Sequence, residues 1–131
     1  MTTRDSFLND FRGQTIGSIN EATTPDEHFQ NQVLRPILKL QNDLFLSIFN
    51  SYAQNSKVDF YNLTLEKKMA LMENAVLKDT AFRNKCQGII IGLFTTQEYD
   101  LYSLNASHLN KRMMSMLLER LKSQLQYFAT K

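Results

Sequence analysis

An all-α fold, an irregular bundle of five to six helices around one long central helix over residues 25–54, is predicted by three observations. Only four glycines and two prolines punctuate 131 residues, a composition that leans helical. Apolar residues recur at helical spacing between short polar connections. One stretch carries two apolar rows side by side: Phe29, Val33, Ile37, Leu40, Leu44 and Ile48, then Leu34, Leu38, Phe45, Phe49 and Tyr52. Together they span roughly 200°, where a helix resting on a single neighbour needs a stripe of about 100° or more. That breadth predicts cover from two sides.

The first element is a short amphipathic helix over 3–12, with Phe7, Leu8 and Phe11 at i, i+1 and i+4 and Gly13 as its stop. Residues 14–21, interrupted by Gly17, read as an extended loop pinned by Ile16 and Ile19. The long helix starts at Thr24, with Pro25 in the first helical position and Glu27 closing a capping box. Pro36 removes a backbone donor and pushes Arg35 out of helical geometry, which predicts a kink there or a break into two helices, the kink being favoured because the rows stay in register. After a polar connection at 55–62, in which Phe60 and Tyr61 tuck back against the core, Thr64 caps a surface helix. Leu65, Met69, Met72 and Val76 form its apolar face, and Lys68 falls with the polar residues.

Asp79 or Thr80 opens the next helix, through Phe82, Cys86, Ile89, Ile90 and Leu93. Periodicity admits a buried strand over 88–94, but no other segment offers a pairing partner, so helix is favoured. Gly88 and Gly92, four apart, would leave a smooth strip for close approach of another backbone. Thr95 to Glu98 is a second capping box, followed by Tyr99 and Tyr102. Residues 105–107 either interrupt the chain or lie inside a continuous helix. The last helix carries Met114, Leu117, Leu118, Leu121, Leu125 and Phe128 in one arc, with Met113 and Met116 on its flanks.

A chain of this length, 43% hydrophobic and 21% charged, is expected to form a single soluble helical domain over 1–131. The single Cys86 cannot form an internal disulfide, and the start of the chain lacks a secretory pattern, so a cytoplasmic location is expected. Net charge is only +2. Its distribution is uneven: residues 1–31 carry two arginines against five carboxylates, a net of −3, and residues 105–131 five cations against one carboxylate, a net of +4. The opposite signs can attract within the fold or across a dimer.

Little in the sequence points to chemistry. The two histidines, His28 and His108, are not in the Glu-x-x-His spacing of bundle metal sites, so no metal or cofactor is expected. Cys86 lies on an apolar stripe, the place of a small buried hydrophobe. There is no serine elbow, Walker loop or dinucleotide fingerprint, so no catalytic residue is assigned, and Glu98 is explained by capping.

Several phrases carry a resemblance: Phe11-Arg12-Gly13 with Thr15-Ile16-Gly17, Arg35-Pro36-Ile37-Leu38-Lys39, Phe82-Arg83 with Gly88 and Gly92-Leu93-Phe94-Thr95, and Leu109-Asn110-Lys111-Arg112-Met113. The whole chain resembles a family of small all-helical bacterial proteins with no established activity to carry over. Some similar sequences bear the label glyoxalase, which implies metal ligands on strands that this chain lacks.

Three functional expectations follow. The first is a protein acting by contact, most simply a homodimer, through the C-terminal helix and its flank of Met113, Met116, Arg120 and Tyr127. The second is a small-molecule pocket beside Gly88 and Gly92, with Arg35, Arg83, Tyr99 and His108 as its polar groups. The third, less favoured, is nucleic-acid binding through Lys111, Arg112, Arg120 and Lys122, a face sparser than a reading helix would carry.

Overall fold

The computed structural model describes residues 3–12 and 24–128. The expected helix stop at Gly13 and the loop over 14–21 lie outside the described residues. Helix accounts for 85% of the described residues, with no strand among them. In chain order the α-helices are α1 (Thr3–Phe11), α2 (Pro25–Phe29), α3 (Arg35–Leu40), α4 (Asn42–Asn55), α5 (Leu65–Glu73), α6 (Thr80–Ile91), α7 (Thr96–Ser103) and α8 (Ala106–Ser123). Widened π turns occupy Gln30–Leu34 and Asn74–Lys78, and 3-10 turns occupy Phe60–Asn62 and Leu125–Phe128. Helix α6 therefore reaches Ile91, which decides against a strand over 88–94.

Residues 25–54 do not form one uninterrupted α-helix. The start is as expected: Thr24 accepts the Glu27 N–H at 3.2 Å and Pro25 takes the first helical position. The irregularity attributed to Pro36 falls one turn earlier. Arg35 keeps right-handed helical angles (φ −62°, ψ −47°), and its N–H bonds to the Gln30 carbonyl, five residues back. A proline ring in a helix clashes with the carbonyl four residues before it, and the wider π turn relieves that clash without breaking the chain's path.

A second irregularity is at Gln41 (φ −92°, ψ 9°), which leaves helical geometry while its N–H still bonds Ile37 and its carbonyl still accepts from Phe45. The two apolar rows respond differently. Up to Leu38, Val33, Leu34, Ile37 and Leu38 are all buried, so both rows are covered there. Beyond Gln41 the residues Phe45, Leu46 and Phe49 stay buried, whereas Leu40 just before the step and Leu44 just after it, both expected on a covered row, are exposed. The first row therefore surfaces on either side of the step and meets the edge of the core again at Ile48.

The broadest set of close backbone neighbours belongs to α8, which lies against α5, α6, α7 and both π turns. Its apolar stripe is wide because it serves several neighbours of its own chain. Met113, Met114, Leu117, Leu118 and Leu121 are buried along it. Beyond Gln124 the chain tightens into a 3-10 turn, so the last helix ends at Ser123, before Leu125 and Phe128. Phe128 is still fully buried and sets its ring 5.3 Å from that of Phe49. Phe49 also meets the rings of Tyr52, Phe60 and Phe82, mostly edge to face, the arrangement the ring quadrupole favours.

Helix α5 begins at the expected Thr64 cap. Its faces are less regular than expected, with Leu65 exposed and Lys68 buried. The Lys68 ammonium donates to the Phe128 carbonyl at 3.0 Å and stands 5.7 Å from the centre of the Phe60 ring. A lysine can enter a core when its charge finds an acceptor and a ring face.

Candidate functional site

The surface of interest is the corner where α6 passes to α7 and α7 to α8. Helix α1 holds that corner together with three charged side chains. Arg4 donates to the Phe94 and Gly92 carbonyls, both at 2.8 Å, and Arg12 to the Leu93 carbonyl at 2.9 Å. These carbonyls lie at and just beyond the C-terminal end of α6, where the helix dipole favours cations. Asp5 meanwhile accepts the Thr96 N–H at 3.1 Å at the start of α7, where a carboxylate is favoured. Arg12 also grips both Glu98 oxygens, one of them at 2.6 Å, with little of either side chain exposed. Thr95 and Glu98 complete the expected capping box, with the Thr95 N–H bonded to Glu98 at 2.8 Å.

So anchored, α7 runs into a break at Asn105 (φ −147°), and α8 begins at Ala106. The break projects Leu104 outward at 82% exposure, with Leu101 at 60%. Beside them opens a mainly apolar cleft of about 770 Å³ between the α2 region and the α7–α8 corner, lined by Phe29, Val33, Leu101, Leu104 and Leu109 among others. Two carboxylates border it and both are engaged. Glu98 is held by Arg12; Asp26 accepts from the Asn105 amide at 3.1 Å and lies 3.2 Å from His108 Nε2.

A second, polar recess of about 550 Å³ lies between the first π turn with α3 and the last turns of α8. Arg35, Met116, Glu119 and Arg120 line it. Arg120 donates to Asn42 Oδ1 at 3.3 Å, and Asn42 and Gln124 exchange amide hydrogen bonds at 2.7 and 2.8 Å. Partial burial, and after it the charge of Arg35, hold the Arg120 guanidinium below its ordinary pKa. An adjoining recess contains His108, Lys111 and Arg112 and shares Gln30, Met116 and Glu119 with the first.

The four suspected pocket residues are not grouped in the cleft or in either recess. Arg35 and His108 belong to the two adjoining recesses, whereas Arg83 and Tyr99 line neither. Arg83 is half-buried on α6 with its Nε unbonded, and Tyr99 sits on α7 with its ring 5.7 Å from that of Tyr102. Gly88 is exposed and a methyl group there would meet open space, so the expected close backbone approach does not occur. Gly92 ends α6 and gives its carbonyl to Arg4.

The suspected interface also divides. Met113 is fully buried in the core and cannot meet a partner; Met116 and Arg120 are half-buried in the polar recess; Tyr127 is exposed on the last 3-10 turn. The basic face is partly engaged, with Lys122 donating to Glu73 at 2.8 Å and Arg112 to Gln30 at 2.8 Å.

No protein-family model, curated protein or solved structure matches the chain.

Cys86 is fully buried, and burial pushes its thiol up to about 12, the state of an inert core side chain. No group of three or more His, Cys, Asp or Glu side chains among the described residues could hold a metal ion. No helix among them is long and apolar enough to cross a membrane. The residues that sequence reasoning passed over are Leu101 and Leu104 at the cleft, Arg4 and Asp5 on α1, and Arg12 just after it. For the leucines a signal existed: they stand at i and i+3, beside the Tyr102 that α7 buries. The α1 contacts span more than eighty residues of chain, and no local pattern announces them.

Proposed function

We propose that this protein works by contact, as a homodimer, and that the two copies meet through the cleft at the α7–α8 corner. The self-association expected from the sequence is kept and moves from the methionine flank of α8, where Met113 is buried, to the N-terminal end of that helix. The observation that carries it is Leu104, 82% exposed at the lip of an apolar cleft.

A two-fold interface uses the same patch on both copies and must be complementary to itself. This patch holds the two parts needed, projecting leucines and a cleft beside them, so that Leu101 and Leu104 of each copy can enter the cleft of the other. Like-on-like contact usually brings like charges together. Here Glu98 is neutralised by Arg12, which leaves Asp26, hydrogen-bonded by Asn105, as the one lining carboxylate without an arginine partner and lowers that penalty. The lone thiol, buried in each copy, suits a reducing cytoplasm and plays no part in the contact.

Sedimentation velocity over a micromolar concentration series tests the reading. Wild type is expected to show a concentration-dependent dimer, Leu104→Lys a monomer with unchanged helicity, and Met116→Lys a dimer like wild type. A wild type that stays monomeric, or a dimer lost through Met116→Lys and kept in Leu104→Lys, would contradict it.

A further inference from the structure

The recess between α3 and the end of α8 plays no part in that contact, and its charges are unbalanced. Arg35 and Arg120, brought together from 85 residues apart in sequence, line the same space. Two cations facing one recess repel each other, and partial burial weakens the screening that water would give. Among the described residues neither guanidinium meets a carboxylate within ion-pair distance, although Glu119 lines the same recess. Arg120 bonds only a neutral amide oxygen, that of Asn42, which Gln124 holds in place through its paired amide. An anion entering between the two side chains would relieve that repulsion.

The anion's class follows from the chemistry of the recess. One arginine satisfies a carboxylate through a two-pronged hydrogen bond. Two arginines suit a dianion with three acceptor oxygens, a phosphate monoester. A volume of about 550 Å³ is that of a small-molecule site, far larger than phosphate needs. Leu38 and Met116 give it an apolar wall, and Glu119 is the one carboxylate lining it. That carboxylate would repel a bare polyanion, but it accepts a hydrogen bond from a hydroxyl group on the rest of the ligand.

We infer that this recess binds a sugar phosphate, with Arg35 and Arg120 on the phosphate and Glu119 accepting from a sugar hydroxyl.

Calorimetric titration and thermal shift at constant ionic strength, with ribose 5-phosphate, ribose and inorganic phosphate as probes, test the inference. Ribose 5-phosphate is expected to bind saturably and raise the Tm, inorganic phosphate to bind more weakly, and ribose not to bind. Arg35→Gln and Arg120→Gln should each weaken ribose 5-phosphate about 10- to 100-fold, the loss expected for a charge-assisted hydrogen bond. Glu119→Gln should weaken ribose 5-phosphate and leave inorganic phosphate unchanged. Arg35 is exposed, so Arg35→Gln should leave the Tm of the free protein unchanged or higher, which separates lost binding from lost folding. Absence of saturable binding by either phosphate, binding unaffected by Arg35→Gln, or inorganic phosphate binding as tightly as the ester would each overturn it. So would single-stranded RNA that binds while ribose 5-phosphate does not.

Discussion

Phe49 is the residue on which most of the aromatic core converges, since Tyr52, Phe60, Phe82 and Phe128 all reach its ring. Truncating a buried phenylalanine leaves a cavity its neighbours fill only in part. Phe49→Ala is therefore expected to cost about 3–5 kcal/mol, read as a lower midpoint in chemical denaturation. Cys86 gives a pH prediction. Its folded thiol is pushed up to about 12 from an ordinary 9.0, so between those values the unfolded chain has lost the proton and the folded one keeps it. Stability then falls as pH rises, by about 1.4 kcal/mol per unit for one proton. Cys86→Ala should flatten that alkaline slope, and native protein should not react with a thiol reagent until denaturant is added. The place of Cys86 in the core was legible from its stripe. Lys68 was not, because its partner, the Phe128 carbonyl, is sixty residues away and belongs to a turn no local pattern predicts. Lys68→Met keeps the volume and leaves that carbonyl without its donor, an expected cost of about 1–3 kcal/mol.

Helix α1 is too short to be stable alone, and what keeps it folded is its grip on the ends of α6 and α7. Breaking the Arg12 and Glu98 pair should release this element before the rest of the chain. In Arg12→Gln, hydrogen exchange is expected to speed up across α1 and the start of α7, while the amides of α4 and α8 keep their protection. Equal loss of protection in α4 would show that the clamp belongs to the global core. Helix starts were largely legible: Thr24, Thr64, Asp79 and Thr95 all cap as their side chains predict. The response to Pro36 was not, since a proline announces a disturbance without saying whether the chain will kink or widen into a π turn. No local pattern announced the step at Gln41 either, on the two sides of which Leu40 and Leu44 are exposed.

At the scale of the molecule, the all-helical class was readable because apolar spacing and the shortage of glycine and proline agree. Packing partners were less readable, because a broad apolar stripe has the same appearance whether its second neighbour is its own chain or another. On α8 the second neighbour is its own chain, which buries Met113 and takes that residue out of the expected interface. The candidate surfaces follow from junctions that join distant segments, the α7–α8 corner and the recess between α3 and α8, so the sequence supplied their residues without their grouping. The contact reading is tested most directly by the association state of wild type beside Leu104→Lys in sedimentation velocity. The expected result is a reversible dimer that the single lysine converts to a folded monomer. A wild type that stays monomeric throughout the micromolar range, or a Leu104→Lys variant that dimerises as well as wild type, would contradict it.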